Sequence, residues 1–202
     1  FGQVDRLKDF LAQRPEWEIP ELKLLTAQDW FNAVGAGPLE SEEQLRRASG
    51  KLRDLAVSLG ARRISQALNT YVRLHDGQLP SSPLELATHF DPPIPSAILE
   101  RYEMLRTGRV SDIPQNLRTR LLAPKAPADV EYDTETYVGT NGYGNRGAAM
   151  YSNVGEAQRR FNQAHPGQNA PTAEQLLPYL KWPVSAPALQ KFLEAQSAPR
   201  QP

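Results

Sequence analysis

Two stretches decide how this chain is built: Ile64–Glu103 (ISQALNTYVRLHDGQLPSSPLELATHFDPPIPSAILERYE) and Val154–Leu193 (VGEAQRRFNQAHPGQNAPTAEQLLPYLKWPVSAPALQKFL). At an offset of 90 residues they align without a gap, and 7 of the 40 positions are identical: Ala67/Ala157, His75/His165, Gly77/Gly167, Gln78/Gln168, Leu86/Leu176, Pro93/Pro183 and Leu99/Leu189. Other pairs keep the physics: Ile64/Val154, Tyr71/Phe161, Ser82/Thr172, Glu85/Gln175, Phe90/Leu180, Ile94/Val184 and Tyr102/Phe192. The unit reads as helix, His-x-Gly-Gln turn, capped short helix, proline corner, helix. A histidine near a helix end and a glycine just past it fit the dipole and the left-handed cap. Ser82-Pro83-Leu84-Glu85 joins a capping serine, a first-turn proline and a glutamate at the third position, a strong helix start over 82–90. Each copy has one apolar face that it can hardly bury unaided. Two copies predict a compact pseudo-symmetric body, since a solenoid needs more.

Working outward, apolar residues recur at Leu45, Ala48, Leu52, Leu55 and Leu59, then at Ile64, Ala67, Leu68, Tyr71 and Leu74, as one buried helix face requires. The step from Leu59 to Ile64 is five, beside Gly60, and Gly50 also lies inside the run. This predicts two helices or one kinked helix. Val4–Gln13 reads as a short amphipathic helix stopped by Pro15, and Thr26–Asp29 as the capped start of a helix through Trp30, Phe31 and Val34 to Gly35. Further helices are expected over 96–106 and 148–165. Between the two units, 117–123 suits a strand. Val130–Val138 (VEYDTETYV) alternates, with Asp129, Glu131, Asp133 and Glu135 on one face. Asn141-Gly142 then makes a turn pair.

The expected fold is therefore α+β and mostly α, with two related helical units around a small antiparallel β patch. The expected segments are an N-terminal helical part (1–40), a first unit (41–109), a β-hairpin insert (110–147), a second unit (148–195) and a disordered tail (196–202).

Composition narrows the function classes. The 202 residues carry 23 basic and 23 acidic side chains, so no broad electrostatic footprint for nucleic acid or anionic lipid is expected. There is no cysteine, which removes disulfides, thiolate metal sites and cysteine nucleophiles together. No apolar run is long enough to span a membrane. The first residue is Phe1, which leaves room for an upstream signal or anchor, and an extracytoplasmic location is favoured over a cytoplasmic one.

Candidate sites each have a bland counterpart. His75 and His165 lack a nucleophile or carboxylate at catalytic spacing, and their place at helix ends explains them. The row Asp129, Glu131, Asp133, Glu135 is the one weak candidate for a metal. Alternation spreads those carboxylates about 7 Å apart along a strand, so a solvated face is the expectation and no metal site is assigned. Thr140–Gly147 (TNGYGNRG) is glycine-rich and precedes a helix, a pattern that could cradle an anion on backbone amides. It lacks the lysine and Ser/Thr of a phosphate loop, and a hairpin running into a helix explains it as well. Asp133, Asn141, Tyr143 and Arg146 are the ligand-contact candidates. No Gly-x-Ser-x-Gly, His-Glu-x-x-His or Ser-x-x-Lys motif occurs, so no catalytic residue and no cofactor is expected.

Two resemblances bear on these expectations. ISQALNTYVRLHDGQLPSSPLEL (64–86) is similar to the end of the pseudopilin helix of type II secretion, where an Ala-Leu-x-x-Tyr helix meets a Gly-x-x-Pro turn. The processing site and long apolar helix of pilins are missing here. More widely, IPELKLLTAQDWF (19–31), LNTYVRLHDGQLPSSPLELATHFDPPI (68–94), APADVEYDTETYVGTNGYG (126–144) and AEQLLPYLKWPVSAPALQKF (173–192) resemble a poorly characterised family of bacterial proteins. Its members share an acidic-YDT…NGYG segment between two NGQ-P-turn units, and some carry sigma-factor-like labels. This resemblance implies a common fold and brings no activity. Asp76 and Pro166 stand where that family has asparagine, which alters the turn.

The leading expectation is a non-enzymatic interaction or scaffold module with a protein partner and no direct nucleic-acid contact. One alternative is a regulatory, transcription-associated domain acting through protein contacts. Another is a ligand-binding or enzymatic domain using the Asn141–Arg146 loop.

Overall fold

Proline and capping residues divide the N-terminal part. The fold is that of a computed structural model, which describes residues 2–35, 38–168 and 171–197. Helix α1 (Gly2–Ala12) ends before Pro15, and two 3₁₀ turns, Pro15–Trp17 and Pro20–Leu24, each begin on a proline whose missing N–H costs nothing there. Helix α2 (Ala27–Val34) opens on a reciprocal capping box between Thr26 and Asp29. The Thr26 hydroxyl also holds the Asp29 carboxyl below its ordinary value.

Helix α3 (Glu42–Leu74) starts on a second capping box, Ser41 with Gln44, and runs 33 residues through both internal glycines without a break. Of the two expectations near Gly60, the chain forms one helix and not two. The glycines serve close approach instead: a Cβ at Gly50 would lie 2.8 Å from the Tyr132 carbonyl oxygen, and one at Gly60 would lie 3.2 Å from Glu21 Cγ. That approach outweighs the roughly 1 kcal/mol each glycine costs in a helix.

Pro83–His89 keeps the expected capping box, Ser82 with Glu85, but winds as a 3₁₀ helix. Helix α4 (Ser96–Glu100) stops where a helix to 106 was expected, because the chain turns into strand β1 (Tyr102–Met104). The strand expected over 117–123 is shorter and later. A 3₁₀ turn occupies Gln115–Leu117, and β2 spans Leu122–Pro124. Strand β3 (Thr134–Gly139) likewise begins four residues into the alternating run, and β4 (Gly142–Ala148) returns through the expected Asn141-Gly142 turn. The four strands form an antiparallel sheet in the order β1-β2-β3-β4. Helices α5 (Ala149–Ala164), α6 (Ala173–Leu176) and α7 (Ala186–Ser197) complete a mostly helical α+β fold. Of the expected tail, Gln196 and Ser197 close α7, and 198–202 lie outside the described residues.

Three apolar clusters result. The first joins α1 and the 3₁₀ turns to the N-terminal half of α3 through Leu7, Leu11, Leu45 and Leu52. The second joins the C-terminal half of α3 to the sheet through Ile64, Leu68, Leu86, Leu121 and Val138. The third lies within α5, α6 and α7, around Val154, Phe161, Leu176 and Leu189.

The segments at offset 90 share side-chain geometry. His75 and His165 both follow the last turn of their helices, and their amides donate to Tyr71 and Phe161. Gly77 and Gly167 take left-handed φ of 83° and 82°. Asp76 is also left-handed, at φ 51°, a value closed to Pro166, so the turns differ one residue before the glycine. Tyr71 meets His89 edge-on at 5.6 Å, and Phe161 meets Tyr179 edge-on at 5.7 Å. The segments part after Leu99 and Leu189, the first entering β1 and the second continuing as α7.

Candidate functional site

A cation stands in the apolar face of α3. Gly50, Arg53, Val57 and Gly60 follow one another at spacings of three and four, and all are buried. Arg53 is 1% exposed. Its Nε and Nη2 both donate to Asp133 Oδ1, at 2.8 and 2.6 Å, and the other Asp133 oxygen accepts the backbone N–H groups of Ala128 and Asp129. Two turns earlier on α3, Arg46 donates to both Asp129 oxygens and to Glu131. One residue after Arg53, Asp54 accepts the backbone N–H and the hydroxyl of Thr134. Burial raises the Asp54 carboxyl above its ordinary value, against the pull of those bonds.

These contacts correct the expected solvated acidic face. Residues 129–133 form a turn, because the Asp133 carboxylate draws in the preceding backbone amides, and a flat strand cannot offer two such donors to one oxygen. Asp129 and Asp133 are buried and Glu131 and Glu135 half-buried, so the four do not share one solvated face. Among the described residues no group of three or more carboxylates and histidines is placed to hold a metal ion.

Beside the turn lies a cleft of about 200 Å³. It opens where β2 and β3 part: Leu122 pairs with Val138, but two residues further along, Pro124 and Thr136 line the cleft. Pro124 has no N–H with which to continue the ladder. Opposite stand Ala149, Ser152 and Asn153 at the start of α5, with Trp182 from the second unit. Asn153, another polar residue in an apolar helix face, is buried and satisfied on both ends. Its Nδ2 donates to the Trp182 carbonyl, and its Oδ1 accepts the N–H groups of Lys181 and Trp182. The Trp182 indole donates to Lys125, tying the second unit to the sheet.

Glu135 takes the hydroxyls of Tyr137 and Ser152 on its two oxygens. Burial, helped by that bond to Glu135, pushes the Tyr137 phenol above its ordinary value, so it remains a donor. Ser152 donates to the Glu135 carboxylate, and no histidine is among the described residues that line the cleft. The three histidines sit at helix corners: His75 stacks on Tyr71, His89 meets Tyr71 edge-on, and His165 lies tilted against Phe161 and edge-on to Tyr179. A serine–histidine pair therefore does not form among the residues that line the cleft.

Of the ligand candidates, Asp133 and Arg146 reach the cleft. Arg146 is exposed on β4, and Glu135 and Tyr137 raise its guanidinium, the Tyr137 bond contributing most. Asn141 lies in the exposed hairpin turn, and Tyr143 packs on the cluster formed by α3 and the sheet. The glycine-rich stretch is strand β4, so its amides do not converge on an anion cradle. Arg53, Asp54, Asn153 and Trp182 were not among the candidates. A signal existed for two of them: Arg53 and Asn153 are polar residues at apolar helix positions.

No protein-family model matches this chain, and no curated protein or solved structure matches it either. No helix among the described residues is long and apolar enough to cross a membrane.

Proposed function

We propose that this protein is a non-enzymatic interaction module, with the 40-residue segment that recurs at an offset of 90 as a duplicated scaffold unit. One observation carries the reading. The charged groups gathered at the centre have partners within the chain: Arg53 pairs with Asp133 and Arg46 with Asp129 and Glu131, while Asp54 accepts from Thr134 and Glu135 from Tyr137 and Ser152. A catalytic centre needs a base or nucleophile left available to its substrate; here the ion pairs fasten segments 80 or more residues apart.

The surfaces available to a partner carry isolated large apolar side chains. Phe31 on α2 and Tyr151 on α5 are each 62% exposed, and Leu74 and Leu84 flank the first His-x-Gly-Gln turn. A photo-crosslinking amino acid at Phe31, Leu84 or Tyr151, in the cells that make the protein, is expected to trap one defined protein from one of these positions. Glutamate at that position should abolish the adduct. Turnover of a substrate by the purified chain, lost in Ser152→Ala or Glu135→Gln, would overturn the reading.

A further inference from the structure

Strand β4 is an end strand of the sheet, with β3 on one side and an outer edge on the other. The ladder shows which of its backbone groups point outward. Val138 gives its carbonyl to the Leu121 amide, away from β4. Its neighbours Tyr137 and Gly139 therefore bond toward β4, to Gly144 and Gly142. Tyr143 and Asn145 in turn direct their N–H and C=O groups outward. Among the described residues no hydrogen bond from outside the hairpin reaches those groups. Gly142, Gly144, Asn145 and Arg146 are exposed, and at the two glycines what is exposed is the backbone itself.

An unpaired edge is a template for another strand, and natural sheets blunt it with proline, lysine or a short strand. At the other end of the sheet β1 is only three residues long. β4 has no proline or lysine, and its one charged side chain is Arg146. A bulge does limit it. Thr136 pairs with Asn145 but Thr134 with Ala148, so β4 carries one residue more than β3 there, and Gly147 takes a φ of 113°. The straight part of the edge thus runs from Gly142 to Arg146, and its midpoint is Gly144.

The occupant this edge fits is a second copy of itself. Two such edges laid antiparallel about a two-fold axis at Gly144 set Tyr143 of each copy opposite Asn145 of the other. These are the residues with outward backbone groups, so each pair exchanges two hydrogen bonds and the joint has about four. Gly144 meets Gly144 and Arg146 meets Gly142, so no like charges face one another. An axis at Asn145 would instead oppose Tyr143 with Gly147, inside the bulge.

We propose that this protein self-associates through β4 into a two-fold dimer in which two four-stranded sheets become one. The short β1 strands are then the free edges, so the assembly closes at two copies. Edges this short bury less than the about 800 Å² a side of a standard interface, so the dimer is weak, with a dissociation constant on the order of 100 μM. The pairing is tested at β4 and the protein-partner reading at Phe31, Leu84 and Tyr151, so either can fail alone.

The test is sedimentation equilibrium of the whole chain between about 10 μM and about 1 mM. The mean mass is expected to rise from that of one chain toward twice that value, and amide exchange at Tyr143 and Asn145 to slow over the same range. Nothing lies within 4 Å of a Cβ placed on Gly144, so Gly144→Lys and Gly144→Glu have room in the single chain. Gly144→Lys sets lysine opposite lysine across the axis and should weaken the dimer about fivefold. Adding Gly144→Glu to a fluorescently labelled Gly144→Lys chain should restore association, since lysine then faces glutamate. Three results would each overturn the proposal: a single-chain mass at the highest concentration, an unchanged association in Gly144→Lys, or a labelled Gly144→Lys chain that pairs with Gly144→Glu no better than with itself.

Discussion

Arg53 and Asp133 stand 80 positions apart in the chain and meet in the interior, two guanidinium nitrogens donating to one carboxylate oxygen. Removing one member of a buried pair leaves the other as an uncompensated charge, which costs about 3–5 kcal/mol. Asp133→Asn is therefore expected to lower the urea-unfolding free energy by that amount. Arg53→Met combined with Asp133→Asn, which keeps an acceptor for the Ala128 and Asp129 amides, should be less destabilised than Arg53→Met alone. A single variant as stable as the parent would show that the pair is not buried in solution.

Two glycines in helices should respond to alanine with opposite signs. Nothing lies within 4 Å of a Cβ placed on Gly155 in α5, so Gly155→Ala should gain up to about 1 kcal/mol from helix propensity. At Gly50 the new methyl would meet the Tyr132 carbonyl oxygen at 2.8 Å, a backbone atom that cannot swing away. Gly50→Ala should lose about 1–3 kcal/mol despite the same propensity gain. Thermal unfolding of the two variants side by side gives the comparison.

Glu85 accepts from the Ser81 and Tyr71 hydroxyls, and these bonds hold its carboxyl below the ordinary value, Ser81 contributing most. A carboxyl lowered by folding stabilises the protein above its unfolded pKa, about 4.3. That contribution is lost as pH falls through the folded value. The second unit has Gln175 at the corresponding position and keeps the same capping box with Thr172. Glu85→Gln should thus preserve the cap and flatten the acid limb of the stability–pH curve between about pH 5 and 3. An unaltered acid limb would mean that Glu85 does not contribute to it.

Asn153 satisfies two backbone amides and one carbonyl of the Lys181–Trp182 segment. Asn153→Ala leaves them without partners at a cost of about 1–3 kcal/mol. Amide hydrogen exchange should speed up at Lys181 and Trp182 and stay unchanged at Leu52 and Ile64.

What could be read in the sequence followed from local rules. Thr26, Ser41, Ser82 and Thr172 all form reciprocal capping boxes; Thr26 and Ser82 have the acid three residues on, while Thr172 has a glutamine there. Asn141-Gly142 makes its hairpin. The misreadings came where distant residues override local pattern. Alternation over 130–138 predicts a strand, yet Arg46 and Arg53, some eighty positions away, draw Asp129 and Asp133 into a buried turn. Gly60 left two helices or one kinked helix open; one helix forms, and Glu21, nearly forty positions upstream, packs against the glycine. The site suffers most from this, since the cleft is assembled from α3, the sheet and α5, which no single window contains. Arg53 and Asn153 were visible only as polar intruders on apolar faces.

The length of α3 sets how the molecule comes apart. One helix of about 50 Å serves both the N-terminal cluster and the cluster under the sheet, so neither can loosen without disturbing the backbone that supports the other. These two cores should open as one cooperative unit, and the amides between Leu52 and Ile64 should exchange only through that rarest event. The third cluster has no share in α3. Val130 packs against it, and the Trp182–Lys125 and Ser152–Glu135 hydrogen bonds bind it to the rest. It can detach at lower free energy while the two joined cores stay folded, and the cleft wall formed by Ser152, Asn153 and Trp182 would leave with it.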